Sequence, residues 1–333
     1  MLNLPSSIQI EPVGQCNLRC EMCAIQFRKD GPPHNGLAFM AWDTYTSLLD
    51  GFPGLKKLHL QGLGEPMMHP RFFEMVRYAK ARGITVTINT NLTLLNPERT
   101  EKLVQSGLDT LFFSIDGSTA ETYERIRKRA HFDRVLNNIE MLLETRRRLK
   151  SEHPHLRLVM VIMRQNLHEL PELVELAHRW SAEEMFVQHL SHDFGEATLP
   201  DEYRPMREYF VEQSLAHEDP QRIDQYFNQA QATAQSLGLK LRLPRTTPRR
   251  HEPGTPGRER CDWPWTGAYI SYEGYMMPCC MVSTPDRANF GKVTDHTLTS
   301  VWNSDEYNQF RNQLDLETPP DICKSCSLYW GTF

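Results

Sequence analysis

Through the first two-thirds of the chain, short β-rich apolar runs alternate with longer stretches whose apolar residues return every three or four positions. The runs predict strands at 8–12, 57–61, 84–90, 110–116, 156–163 and 185–190, and the longer stretches predict helices around 43–51, 70–82, 97–106, 132–149 and 168–179. Asp43, Asn96 and Asn166 stand at helix starts as N-cap candidates, and Gly83 and Gly107 follow helices as C-caps. Six strands alternating with helices predict an α/β fold with a parallel sheet, in which ligands gather at the C-terminal strand ends. Residues 201–237 read as two polar helices separated at Pro220, and 239–260, with four prolines and seven Lys/Arg against two acids, as a connecting loop. After Cys261 the texture changes: 268–272 and 275–277 around Gly274 predict a hairpin, and 298–314 a helix. The pattern divides the chain into 1–200, 201–260 and 261–333.

Composition narrows the class. The 333 residues suffice for one large domain and a small one. No apolar run approaches the ~20 residues of a membrane helix, and Met1-Leu2-Asn3-Leu4-Pro5 lacks the basic and apolar regions of a signal peptide. The expected location is the cytoplasm. A formal net charge of −5, without an aromatic-interleaved basic surface, predicts no nucleic-acid partner and no membrane surface.

The eight cysteines fall into two groups, 16–23 and 261–326. In a reducing compartment such spacing reads as metal ligation or redox chemistry rather than disulfides. Cys16-Asn17-Leu18-Arg19-Cys20-Glu21-Met22-Cys23 is a CxxxCxxC directly after the first strand. Three thiolates on one loop hold three irons of a [4Fe–4S] cluster and leave the fourth open to another ligand. A structural zinc site asks for four protein donors.

At these residues the sequence resembles the radical S-adenosylmethionine (radical SAM) superfamily, whose signature is this spacing after the first strand of a partial (βα)6 barrel. The resemblance runs over nearly the whole chain. Gly62-Leu63-Gly64-Glu65-Pro66 follows the second strand and resembles the family's GGEP motif, in which Glu65 receives the SAM amino group and Gly64 exposes backbone. Asn91 ends the third strand, where similar proteins place polar contacts to ribose or substrate. Ser114, ending the fourth strand, and Arg127 on the following helix correspond to residues that bind the SAM carboxylate, a task suited to the guanidinium fork. Met22, before the third cysteine, falls where relatives pack adenine.

In the C-terminal segment Cys261, Gly274 and Cys279 form C-x12-G-x4-C, followed by Cys323-Lys324-Ser325-Cys326. Four cysteines fit one [4Fe–4S] cluster or one structural zinc ion equally well by count. Together with Met277-Pro278-Cys279-Cys280 and Ser300-Val301-Trp302-Asn303 they resemble SPASM and Twitch auxiliary-cluster domains, which implies iron and sulfur. Cys280 is left over: a packed small residue, a replacement ligand, or a thiol that donates hydrogen to a substrate radical.

The resemblance implies two [4Fe–4S] clusters and SAM as cofactors. A one-electron donor such as flavodoxin or ferredoxin reduces the first cluster, SAM splits to a 5′-deoxyadenosyl radical, and that radical removes hydrogen from substrate. The second cluster then accepts an electron, making the net reaction an oxidation. A small-molecule substrate is the leading expectation, with a redox-neutral epimerase or a peptide-modifying maturase as alternatives. The first strand begins near residue 7, so a peptide leader is expected to need a separate partner or none, which weakens the maturase reading. A non-enzymatic electron carrier is the alternative of another class, but it has no use for a SAM site. Gln188, His189, His192 and Asp193 at the last strand end, Glu11 and Arg164 are candidate substrate groups, and Arg242, Arg245, Arg249, Arg250, Arg258 and Arg260 are candidates for an anionic one.

Overall fold

Strands form in all six predicted places: β1 (Ser7–Ile10), β2 (Lys57–Leu60), β3 (Thr85–Thr90), β4 (Thr110–Ser114), β5 (His155–Ile162) and β6 (Glu184–His189). The computed structural model describes residues 3–28, 38–190, 194–248, 261–316 and 318–332. His192, Asp193, Arg249, Arg250, Arg258 and Arg260 lie outside the described residues. β1 to β6 lie side by side in chain order and every pairing is parallel. Helices α1 (Trp42–Asp50), α2 (Phe72–Lys80), α3 (Pro97–Gln105), α4 (Ala120–Ile126), α5 (Phe132–Arg148) and α6 (Leu170–Arg179) separate successive strands. The architecture is the expected partial (βα)6 radical SAM arrangement.

Further strands extend both ends of this sheet. β7 (Lys240–Arg242) pairs in parallel with β6, although its residues fall in the stretch expected to be a connecting loop. Leu241 and Leu243, alternating with Lys240 and Arg242, pack on the core and draw this segment onto the sheet edge. At the other end β8 (Gly267–Ile270) runs parallel to β1, and β9 (Met276–Met277) turns back antiparallel as the predicted hairpin, with Gly274 at φ 88° in the turn. Residues 201–237 contain α7 (Arg204–Gln213) and α8 (Pro220–Leu237), with Pro220 opening the second helix. The C-terminal segment adds α9 (Trp263–Thr266), α10 (Leu298–Trp302), α11 (Asp305–Leu314) and α12 (Ser327–Trp330). The single helix expected over 298–314 is two, because Ser304 adopts an extended conformation and caps α11 by accepting from Tyr307 N.

Asn96 caps α3 by accepting from Arg99 N at 2.8 Å, and Gly83 and Gly107 take the positive φ expected after their helices. Asp43 is not a cap, since α1 begins at Trp42; it sits in the first turn, where its charge still favours the helix N-terminus. The Asn166 side chain accepts from Met163 N and donates to the carbonyls of Asp116 and Val161, tying two strand ends together.

Period-two alternation gives the strands two different faces. Ile8, Ile10, Leu58, Leu60, Val86 and Ile88 are fully buried in the large apolar core that they share with the helices. Each such side chain contributes about 1.5–3 kcal/mol. The intervening residues, among them Gln9, His59, Gln61, Asn89 and Ser114, line a cavity instead. Because the helix side carries the stability, the cavity side is free to be polar.

Candidate active site

The cysteine loop leaves β1 and is pinned at both ends. Arg19 donates to the carbonyls of Cys16 and Leu18, and Arg19–Cys20 pairs antiparallel with Arg127–Lys128. Cys16 Sγ accepts from Leu18 N at 3.4 Å and from Asn91 Nδ2 at 3.8 Å, so donors already face the sulfur. Burial pushes the Cys16 thiol up to about 12, with help from the nearby Glu65 charge. It pushes Cys20 up to about 12 against the pull of Arg127, and raises Cys23 as well. Thiols so placed stay protonated until a metal displaces the proton.

Both glycines of the GxGEP segment are required by close approach. A Cβ at Gly64 would fall inside contact of the Val13 carbonyl oxygen, and one at Gly62 would collide with Glu11. Glu65 N donates to Gln15 O at 2.9 Å, which docks this segment on the cysteine loop. The Glu65 carboxylate is buried; Oε1 accepts from Thr90 Oγ1 at 2.8 Å and Oε2 from Asn91 N at 2.8 Å. Burial raises its pKa although these bonds and Arg127 oppose the shift. No described residue forms an ion pair with it. A buried carboxylate with hydrogen bonds and no cation fits an incoming ammonium.

Arg127 is not on an exposed helix face; it is 7% exposed, at the C-cap of α4. Its Nη2 pairs with Asp116 Oδ2 at 2.7 Å, while the buried Nε has no partner. An orphaned guanidinium donor beside the cavity suits a carboxylate. Ser114 lines the same wall, and Met22 packs with Ile126, Met163 and Leu190. Asn91 borders the cavity, but its side chain holds the loop together: Nδ2 reaches Asn17 Oδ1 at 3.1 Å, and Oδ1 accepts from Thr93 N and Oγ1.

Cys261, Cys279, Cys323 and Cys326 meet at the opposite side. Cys279 and Cys326 are buried, in an apolar shell with Tyr269, Met277, Leu314 and Tyr329. Burial raises Cys279 strongly, and a thiolate at Cys280, Cys326, Cys261 or Cys323 would raise it further, so the group resists carrying several charges without a metal. Four thiols gathered in an apolar shell, one for each iron, fit a [4Fe–4S] cluster. Around it the chain after β6 is clamped to the C-terminal segment: Glu196 pairs with Arg287, Asp321 accepts from Ala197 N, and Tyr203 Oη bonds Thr284 at 2.8 Å.

Between the two cysteine groups lies a cavity of about 460 Å³, lined on one side by Cys16, Cys20 and Cys23 and on the other by Cys280 and Met281. Gln188 lines it. His189 does not, since its Nε2 bonds Arg245 O at 2.9 Å. Glu11 is clamped by Arg28, Leu63 N and Tyr272 N, and Arg164 pairs with Glu218 on the surface. Arg242 stacks over Phe186, behind the cavity wall.

A polar row escaped the sequence reading. The Gly62 carbonyl can only accept, so Gln61 Nε2 lies against it and Gln61 Oε1 faces His59 Nε2 at 2.9 Å. His59 Nε2 therefore donates and Nδ1 accepts from Thr87 Oγ1 at 2.7 Å, which fixes the neutral tautomer. Burial holds this imidazole at about 4 despite both bonds. Gln9 Nε2 donates to Gln61 O at 2.9 Å, leaving the Gln9 oxygen open. The available signal was polar residues at every second position of otherwise apolar strands.

Three thiols on one loop, beside a buried carboxylate and a guanidinium on a parallel α/β sheet, are a donor set that would suit an enzyme holding an iron–sulfur cluster and an amino-acid-like ligand. Comparison agrees, with the radical SAM superfamily model matching residues 10–177 and the SPASM iron–sulfur cluster-binding domain model matching 261–327. The chain belongs to the radical SAM superfamily, and its cofactors are S-adenosylmethionine and two [4Fe–4S] clusters. It is 27% identical to the tungsten-containing aldehyde ferredoxin oxidoreductase cofactor-modifying protein of Pyrococcus furiosus, covering 96% of this chain and 87% of that protein. It is also 27% identical to the AdoMet-dependent heme synthase of Methanosarcina barkeri, over 97% and 90%. Among solved structures, SuiB of Streptococcus suis bound to precursor peptide SuiA aligns at TM-score 0.67 and 18% identity, over 99% of this chain and 71% of that one. No helix of the described residues is long and apolar enough to cross a membrane.

Proposed function

We propose that the protein removes a hydrogen atom from a small-molecule substrate held in the central cavity and oxidises it. The observation that supports this reading is that Cys16, Cys20 and Cys23 line one cavity of about 460 Å³ together with Cys280, the neighbour in sequence of Cys279. Cys16, Cys20 and Cys23 hold the first cluster, and Cys261, Cys279, Cys323 and Cys326 hold the second. When bound, the clusters and SAM supply one-electron reduction, a carbon radical able to remove hydrogen, and an acceptor for the electron that remains.

The chain's own residues position and exclude. Glu65 takes the SAM ammonium, and Arg127, held at a fixed angle by Asp116, takes the carboxylate together with Ser114. Gly64 lets the ligand approach the backbone, Asn91 keeps the cysteine loop in register, and Met22 packs against the adenine. Phe112, Phe186, Tyr209 and Phe210 wall the cavity and keep water from a reactive intermediate. The electron donor is a small one-electron carrier such as flavodoxin or ferredoxin, and the protein works in the cytoplasm. A peptide substrate is the second reading, favoured by the likeness to SuiB, whose structure holds its precursor peptide.

The test is anaerobic reconstitution followed by assay of iron, sulfide, zinc and 5′-deoxyadenosine formed from SAM and dithionite. About eight irons per chain and SAM cleavage support the reading. About four irons with about one zinc remove the oxidative role of the second site. Folded protein that takes up no iron and cleaves no SAM overturns the whole.

A further inference from the structure

The cavity walls differ in charge. Among the described residues the only Asp, Glu, Lys or Arg lining it are Glu65 and Arg127, both on the side of the cysteine loop. The remainder is lined by rings, aliphatic side chains, hydroxyls and carboxamides. His59 adds no charge there at neutral pH, since its burial disfavours the protonated ring.

Three of the carboxamides have unused capacity. Gln9 donates through Nε2 to Gln61, while its oxygen accepts from no described residue. The Asn89 and Gln188 side chains line the cavity and make no hydrogen bond to a described residue, although both backbones sit in the sheet. They sit on β1, β3 and β6, so they approach the cavity from three separate strands. Polar groups left unpaired beside an apolar wall are satisfied by water or by a ligand that offers matching donors and acceptors.

We infer that the substrate portion seated here is uncharged and amide-like, carrying adjacent donor and acceptor atoms beside an apolar or aromatic part, and that Gln9, Asn89 and Gln188 select it. An anion entering this half of the cavity finds no cation among the described residues, and there it exchanges its hydration for carboxamide dipoles. A neutral amide exchanges its waters for bonds of the same kind, while Phe112 and Phe186 cover its apolar part. The arginine-rich stretch that suggested an anionic substrate sends neither Arg242 nor Arg245 to this wall. The inference rests on reading the cavity as the substrate site.

The test uses three probes that share a phenyl ring, N-acetylphenylalaninamide, N-acetylphenylalanine and the smaller phenyl phosphate, on the cluster-loaded holoenzyme with SAM present and no reductant. Binding is followed by saturation-transfer NMR and titration. The neutral amide is expected to bind at least about tenfold more tightly than either anion, and Asn89→Leu and Gln188→Leu each to weaken it roughly three- to tenfold, the worth of one hydrogen bond. Asn89→Asp and Gln188→Glu keep the side-chain volume and introduce a like charge, so they carry the test if the leucine variants lose iron. They are expected to weaken the neutral probe without improving either anion. Phenyl phosphate binding as tightly as the amide, no binding of the amide, or full amide affinity in both pairs of variants would overturn the inference. Wild-type 5′-deoxyadenosine formation without any probe tests the radical reading separately: its absence with intact amide selectivity sinks that reading and leaves this one standing.

Discussion

The N-terminal cysteines occupy a single loop fixed to neighbouring strands, whereas the C-terminal ones are brought together from a hairpin, a distant turn and the start of a short helix. The first group depends on local geometry: Arg19 holds the loop carbonyls, and glycines at 62 and 64 let a second loop close over it. The second depends on packing, with Cys279 and Cys326 buried among aromatic residues and the adjoining chain clamped by Glu196–Arg287. A local site needs only its loop to form before metal arrives. A dispersed site draws folding energy from the metal, because ligation closes long stretches of chain.

The comparison breaks most sharply under cysteine replacement. Cys16→Ala/Cys20→Ala/Cys23→Ala is expected to abolish 5′-deoxyadenosine formation and to lower iron from about eight to about four per chain, with little change in thermal midpoint. Cys323→Ala/Cys326→Ala is expected to remove a similar amount of iron yet retain SAM cleavage, and to lower the thermal midpoint by far more. Equal midpoints for the two variants would contradict the claim that the dispersed site contributes more to the fold than the local one. Next in size is Asp116→Asn. Asp116 and Arg127 are buried at 0% and 9% side-chain exposure, so the change strands a guanidinium in the interior and costs about 3 kcal/mol in a urea titration. A loss under ~1 kcal/mol would mean that Arg127 finds water or another partner at little cost.

The same contrast explains what the sequence made legible. CxxxCxxC, GxGEP and the six strands are short-range patterns, and all appear where they are expected, with Glu65 buried against the cysteine loop. The break before Ser304 and the strand at Lys240–Arg242 depend on a cap and on a sheet edge supplied from elsewhere, so composition alone misread both. Arg127 belongs to the same kind: its burial follows from Asp116 and from pairing beside Cys20, which no local pattern announces. The polar row Gln9–His59–Gln61 was visible as alternation, but the face to which it belonged became clear only when the helices took the other one.

His59 yields a smaller, pH-dependent effect on the cavity side of the comparison. Its folded pKa of about 4 lies below the ordinary value of about 6.5. Between those values the unfolded chain takes up a proton that the folded chain refuses, so stability falls as pH drops from about 6.5 to about 4 and is level outside that window. The expected loss is about 2 kcal/mol, less than the full shift implies because the ring borders the cavity. Buried Glu65 and Asp116 are raised, and their slopes have the opposite sign, so the quantity to measure is wild type minus His59→Gln at each pH. A difference that stays flat across the window would mean that His59 is solvated in the native protein.

Cys280 gives the smallest expected change in metal content and the finest division between the two cysteine groups. It directly follows Cys279, one of the four proposed ligands, yet it lines the cavity opposite the N-terminal loop. Burial pushes its thiol up to about 12, so without metal it carries its hydrogen. Four thiolates complete a [4Fe–4S] cluster, which leaves the fifth without an iron. Cys280→Ala is therefore expected to keep about eight irons and full SAM cleavage. A fall to about four would make Cys280 a ligand and displace one of the four named. With iron intact, the product decides the rest: an unchanged oxidised product leaves Cys280 as a wall residue, whereas a changed ratio of stereoisomers makes it the hydrogen donor of a redox-neutral reaction. That second outcome would transfer the chemistry of the C-terminal group from its cluster to its one unligated sulfur.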